Sequence, residues 1–227
     1  MKLKFRAIAA FTVVMAAVQG MALTLPDIVN RNMMLQQNTD AALWGWATPG
    51  SQVTVKTGWN DRSYTAKAGK DGRWDVKVAT PAASYEVQQV TITGDGTTID
   101  LDNVLIGEVW FASGQSNMEM PLRGFWGSPI EGSNKAIAGA GKYRHAIRFA
   151  TVSKANALEP RDSVAGEWVE CVPGNAPEFS AVGYFFAREL NDILDVPVGI
   201  INCSWGGSKV EGCLLYTSPS PRDMRRS

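Results

Sequence analysis

Ser116 is the residue best placed in this chain to act as a nucleophile. It lies in Gly107-Glu-Val-Trp-Phe-Ala-Ser-Gly-Gln-Ser-Asn-Met-Glu119, where a short apolar run, Val109 to Ala112, ends near Gly114 and a turn follows. A strand that delivers a serine to a sharp turn at the carboxyl end of a sheet exposes its oxygen to substrate, base and oxyanion donors together, and the sites of open α/β sheets gather at that edge. Gly114 lets the backbone bend and approach closely. A serine hydroxyl is a poor nucleophile until a base takes its proton. Taken alone, a Gly-x-Ser turn fits a capping serine at least as well. A second segment, Asn202-Cys-Ser-Trp-Gly-Gly-Ser208, follows another apolar run, Val198 to Asn202. Gly206 and Gly207 put backbone N–H groups at the sheet's edge, where a donor to a developing oxyanion is worth about 3–4 kcal/mol. An ordinary Gly-rich strand-to-helix turn has the same composition.

The base is missing from this pattern. His145 is the single histidine; it stands between Arg144 and Ala146, with Lys142 rather than an Asp three residues before it. It is not read as the catalytic base. Serine hydrolysis needs a base within hydrogen-bond reach of the hydroxyl, so the chain as given is expected not to turn over efficiently, although residual catalysis survives loss of a triad member in known hydrolases. The α/β-hydrolase elbow wants Gly-x-Ser-x-Gly, and position 118 is Met. No Gly-rich loop followed by Lys-Ser/Thr offers a phosphate cradle. The chemistry requires neither metal nor cofactor.

The elements that position these residues follow two patterns. From Leu23 to about Leu105, Gln52–Thr57, Arg73–Val78, Tyr85–Ile92 and Thr98–Leu101 alternate apolar and polar residues, which predicts strands with one buried face. Thr48-Pro-Gly50, Gly69-Lys-Asp-Gly72 and Gly94-Asp-Gly96 are turn signals between them. Short strands at this spacing predict a small antiparallel sandwich, with Trp44, Trp46, Trp59 and Trp74 as core; an exposed sugar-stacking platform is the alternative for some of them. After Leu105 the pattern changes. Val109 to Ala112 predicts a short buried strand. Ser180 to Leu194 has helical spacing, with Ser180 as N-cap and Val182, Phe185, Phe186, Glu189, Leu190, Ile193 and Leu194 mostly on one face. Val198 to Asn202 predicts a second buried strand. Strand, helix, strand in this order suggests a βαβ unit and a parallel sheet. Met120 to Ala176 is Gly- and Pro-rich and is expected to be mostly loop, with a strand near Ile147 to Val152.

The two ends differ from the rest. Lys2, Lys4 and Arg6 precede a nearly unbroken apolar run, Ala7 to Val18, and small residues follow at Gly20 and Ala22. Residues 1–22 are therefore expected to be a secretory signal peptide, too short for a comfortable membrane span, which implies a secreted or periplasmic protein with no integral membrane segment after cleavage. Cys213 to Asp223 fits no element and matches one frame of a transposase adapter used in sequencing libraries, so residues 213–227 are expected to be adapter-derived and the natural protein to continue past Gly212. Three basic residues lie in each end and one acidic residue, Asp223, in the tail. The chain between therefore carries 16 Lys and Arg against 21 Asp and Glu, a net charge of −5. That balance and the lack of a basic cluster exclude nucleic acid as the expected partner. Cys171 and Cys203, the cysteines outside the tail, make neither a disulfide framework nor a zinc site.

The motifs taken together carry a family resemblance. Gly-Glu-Val-Trp-x-x-Ser-Gly-Gln-Ser-Asn-Met-Glu from Gly107 to Glu119 resembles the first block of sialate O-acetylesterase-like proteins, members of the SGNH hydrolases. Ser180-Ala-Val-Gly-Tyr-Phe-Phe-Ala-Arg-Glu-Leu190 resembles that family's helix, and Pro197 to Ser208 its second block. Met34-Leu-Gln36 and Trp44-Gly-Trp46 resemble its amino-terminal sandwich. The resemblance spans about residues 25 to 212. It implies an α/β fold, an incomplete SGNH-type parallel sheet over 106–212, preceded by a small all-β sandwich over 23–105. It implies Ser116 as nucleophile, and an oxyanion hole from its N–H and a glycine of the Gly206–Gly207 pair. Gln115 stands where other SGNH branches have Asp; it and Asn117 are the further candidates for the oxyanion or substrate site. The family's later Gln-Gly-Glu and Asp-x-x-His blocks do not occur here. The implied activity is hydrolysis of acetyl esters on an acetylated carbohydrate, whose sugar the motifs do not fix. An esterase of the same fold acting on acetylated xylan, or a carbohydrate-binding protein without catalysis, are the competing expectations.

Overall fold

The computed structural model describes residues 22–157 and 159–208. The expected signal peptide up to residue 21 and the 213–227 tail lie outside the described residues. Ten strands and three α-helices follow one another: β1 (Met34–Gln36), β2 (Asp40–Trp46), β3 (Gln52–Thr57), β4 (Ser63–Lys67), β5 (Arg73–Ala79), β6 (Ser84–Gly94), β7 (Thr97–Gly114), α1 (Ser116–Glu119), α2 (Ser133–Gly139), β8 (Ile147–Thr151), β9 (Trp168–Glu170), α3 (Ala181–Leu194) and β10 (Val198–Ser204). Eight strands form one mixed sheet in the order β4-β3-β6-β7-β10-β8-β9, with β1 also paired to β7, while β2 and β5 pair with each other.

Period-two alternation explains the first half. In β5 the side chains of Trp74, Val76 and Val78 are buried while Asp75 and Lys77 face out. Together with Leu43 of β2 they share a core with Val53, Val55, Val90 and Ile92 of the larger sheet. Trp74 is fully buried there; Trp44 and Trp59 pack against the same cluster and donate their indole N–H groups to the carbonyls of Asp162 (2.8 Å) and Ala79 (2.9 Å). These indoles have the partners that half-buried tryptophans normally find.

Strand β7 joins the two halves. It is antiparallel to β6 from Thr97 to Ile106, then parallel to β10 from Glu108 to Gly114. Where it changes partners, Val104, Leu105, Ile106 and Gly107 are all buried, and β1 pairs in parallel with it, Met34 opposite Leu105. Asn103, at φ 57°, precedes this point. The two short runs expected at Thr98–Leu101 and Val109–Ala112 are thus one continuous strand through the expected boundary at 105/106.

β7, β10 and β8 run parallel, with Val198 opposite both Glu108 and Ile147, and β9 closes the edge antiparallel to β8. Helix α3 begins as its sequence predicts: the Ser180 hydroxyl accepts from the Gly183 N–H at 3.1 Å. The face it buries is the small one, Ala181, Gly183, Tyr184, Ala187 and Asn191. At Gly183 an added Cβ would stand 3.3 Å from the Phe149 ring, so close approach selects small residues. The stripe of Val182, Phe185, Phe186, Ile193 and Leu194 is exposed among the described residues. So are Trp110 and Phe111, which corrects the expectation of a buried run at 109–112; the Trp110 and Phe186 rings meet edge to face, centroids 5.2 Å apart. After Gly107, the ladder partners of β7 among the described residues come from β10 alone. The segment expected to be mostly loop also contains α2 and β9. No helix among the described residues is long and apolar enough to cross a membrane.

Candidate active site

The parallel register fixes where the two chemical motifs meet. Ser204 is opposite Gly114, so β7 and β10 end side by side and both turns emerge at the same rim. The Trp205 N–H donates to the Gly114 carbonyl at 3.0 Å, extending the ladder one step into the turns. Gly114 has φ 154°, and a Cβ there would lie 3.1 Å from that of Met118, so the bend into the nucleophile turn requires glycine.

Ser116 opens α1, a single turn closed by the Glu119 N–H to the Gln115 carbonyl and the Met120 N–H to the Ser116 carbonyl, both 2.9 Å. Its first amides have no acceptor inside the helix. Gln115, Ser116 and Asn117 are all exposed, so the candidate nucleophile faces solvent rather than the interior. A Cβ built on Gly206 would stand 3.5 Å from both Cα and Cβ of Ser116, so the first glycine of the pair lies directly against the serine. Gly207 follows at φ 76°, turning the chain at this point. The Gln115 amide donates to the Ser208 carbonyl across the gap. The structure thus brings together Ser116, Gln115, Gly206 and Gly207, with Asn117 on the same turn.

Two residues of the site carried no role in the sequence reading. Glu119 accepts a hydrogen bond from the Gly206 N–H and forms an ion pair with Lys154, which also lies 5.9 Å from the centroid of the Trp205 ring. The hydrogen bond from Lys154 draws the Glu119 carboxyl below its usual range; burial opposes this and the Gly206 amide reinforces it. Spacing could have suggested Glu119, since residues i and i+3 of a helical turn lie on the same side. Lys154 gave no signal, because it arrives from the loop after β8.

His145 is exposed just before β8, at the opposite end of the parallel strands from the nucleophile turn. Ile147 is level with Glu108, six residues short of Gly114, which at strand rise is about 20 Å. It is therefore not the base for Ser116. Cys171 is a buried thiol whose pKa burial pushes up to about 12, so it is not a nucleophile. No group of three or more metal-ligating side chains occurs among the described residues.

No family model matches the chain. It is 31% identical over 208 residues to the sialate O-acetylesterase of Homo sapiens, covering 85% of this chain and 39% of that protein. It is 30% identical over 208 residues to the one of Rattus norvegicus, covering 37% of it. Its backbone superposes on the crystal structure of a carbohydrate acetylesterase from Xanthomonas citri with a TM-score of 0.76 and 36% identity, over 84% of this chain and 42% of that one. The chain thus spans about two fifths of the length of the relatives it matches.

Proposed function

Because the chain belongs to the sialate O-acetylesterase-like family over the stretch it shares with those proteins, we propose that it carries the nucleophile half of a carbohydrate O-acetylesterase. The observation that carries this reading is the contact of two turns at one sheet rim: an exposed Ser116 packed against Gly206. Ser116 Oγ attacks the acetyl carbonyl carbon while a base takes its proton. The tetrahedral oxyanion sits against the Ser116 N–H and an N–H of the glycine turn. The base then returns the proton to the departing sugar hydroxyl. Water, activated by the same base, releases acetate from the serine. Gln115 holds the glycine turn through the Ser208 carbonyl, and Asn117 faces the substrate. The single histidine, His145, lies at the far end of the parallel strands, so the base is read as coming from outside the described residues.

Residues 23–105 are read as a small β-sandwich domain that precedes the α/β sheet; the core shared by β2 and β5 with β3 and β6 supports this. Of the four tryptophans behind the binding-module alternative, Trp74 is core and Trp44 and Trp59 pack against the core and donate to backbone carbonyls, which favours the core reading for these three. Export to the periplasm or medium is inferred from the amino-terminal residues; fractionation that finds the protein uncleaved in the cytosol would refute it. The activity is tested with O-acetylated sialic acid and acetylated xylan as substrates for the product of the intact gene. Acetate release that falls about 10⁴-fold or more in Ser116→Ala is expected. Release that survives the substitution removes the hydrolase reading. Preference between the two substrates assigns the sugar.

A further inference from the structure

We propose that Glu119 is a positioning residue: its carboxylate, held by Lys154, pins the glycine turn against the nucleophile turn and engages the Gly206 amide, leaving the oxyanion to the amides of Ser116 and Gly207. This rests on the hydrolase reading of Ser116 and goes beyond it by dividing the two glycines between two tasks.

Three chain segments meet at this carboxylate. Glu119 closes α1, three residues after Ser116; the Gly206 N–H comes from the turn after β10; Lys154 comes from the loop after β8. The side chain of Glu119 is 22% exposed and that of Lys154 45%, so the carboxylate is the more enclosed partner. Hydrogen bonds to a partly enclosed carboxylate are charge-assisted and stronger than neutral ones. A Cβ on Gly206 would fall 2.6 Å from Glu119 Oε2, so the carboxylate fills the space that a side chain would take. An amide already donating to a carboxylate is a poor donor to a second anion beside it. Gly207 follows in the turn at φ 76°, and the amide that donates to Glu119 is that of Gly206. Among the described residues Lys154 is the charged group that faces Glu119; the β10 turn offers it backbone alone. A tilt of this brace moves the oxyanion donors relative to Ser116, and misplacement by 1 Å costs about 10²-fold in rate.

The test has two arms. In the 227-residue chain labelled with ¹⁵N, the Gly206 amide proton should titrate with a midpoint below the ordinary carboxylate range. The titration should disappear in Glu119→Gln, and its midpoint should rise in Lys154→Met. A Gly206 amide that does not respond to pH, or responds identically in Glu119→Gln, overturns the proposal. In the acetate-release assay, Glu119→Gln should lower kcat by about 10- to 100-fold with KM held, and Glu119→Asp should recover part of the loss. Unchanged kcat in Glu119→Gln, with activity lost in Ser116→Ala, overturns the brace and leaves the hydrolase. Activity surviving Ser116→Ala overturns the hydrolase reading, whatever the Gly206 amide does.

Discussion

Replacing Glu170 by Gln isolates the charge that holds the parallel sheet to the strand entering it. Arg148 on β8 is completely buried, and its Nη2 lies 3.6 Å from Glu170 Oε1 and 3.1 Å from Asn103 Oδ1. Glu170 also accepts from the Asn103 amide (3.0 Å) and from Arg144 Nε (3.1 Å), and Asn103 donates on to Asn32 (2.8 Å). Arg148 Nε is buried without an acceptor. Gln keeps the shape and the Asn103 hydrogen bond but leaves the guanidinium without a counter-charge. At 3.6 Å and an effective dielectric near 20, the lost attraction is about 4–5 kcal/mol. Breaking buried pairs costs about 3–5 kcal/mol. The Glu170 side chain is 18% exposed and retains some water, so the lower figure, about 3 kcal/mol, applies. For a chain of this size that lowers Tm by roughly 6–12 °C, measured by thermal melting at pH 7 with tryptophan fluorescence. Arg148→Met added to Glu170→Gln should restore most of the loss, since no charge is then left buried. A single variant melting within about 1 °C of the parent would refute the reasoning.

The same pair sets a pH dependence. Burial pushes the Glu170 carboxyl up, but the Asn103 amide and the Arg148 and Arg144 guanidinium groups outweigh it and hold the carboxyl below its usual range. The folded value is depressed, so the stabilisation is full above the ordinary carboxylate pKa and is lost as pH falls through the folded one. The gap in Tm between parent and Glu170→Gln should stay constant near neutrality and close below about pH 4.

Three further outcomes follow from burial and close contact. Gly206→Ala places a methyl 2.6 Å from Glu119 Oε2, and acetate release should fall about 10²-fold; a kcat equal to the parent's would contradict the tight fit. Cys171, fully buried with its pKa pushed up to about 12, should resist a thiol reagent at pH 8 in the folded chain and react on unfolding; mass spectrometry that finds it labelled without denaturant counts against the packing. Trp74→Ala should cost about 3–5 kcal/mol in a urea melt, whereas Trp126→Ala, at a fully exposed turn, should change stability by less than about 0.5 kcal/mol. Equal effects at the two positions would contradict the assigned core.

The parts of the fold visible in the sequence are those with a single buried face. Alternation placed β3, β5 and most of β6, and a capping serine placed the start of α3. The helix face was harder to read. Hydropathy marks Phe185, Phe186 and Ile193, yet the sheet admits Ala181, Gly183 and Ala187, because approach distance rather than side-chain size decides which side packs. β7 was read as two runs because the alternation breaks at Asn103 and gives way to residues buried on both sides. At the site, glycines and the serine stood out by type and spacing. Glu119 was legible only by its spacing from the serine, and Lys154 not at all, because a contact between residues 35 apart has no local pattern.

Beyond Asn103, the run of β7 from Val104 to Gly114 sets one register from the buried middle of the strand to the serine turn. Successive residues of a strand point to opposite sides, so inserting or deleting one residue between the irregularity at Asn103 and Gly114 reverses every side chain downstream. A change near Leu105, far from any chemistry, would be transmitted along the strand to the turn that carries the serine. The two halves of this protein are therefore poor candidates for exchange as cassettes: a chimera cut at the apparent seam would have to preserve the count of residues through that seam, or it would inherit an intact core and a reversed active rim.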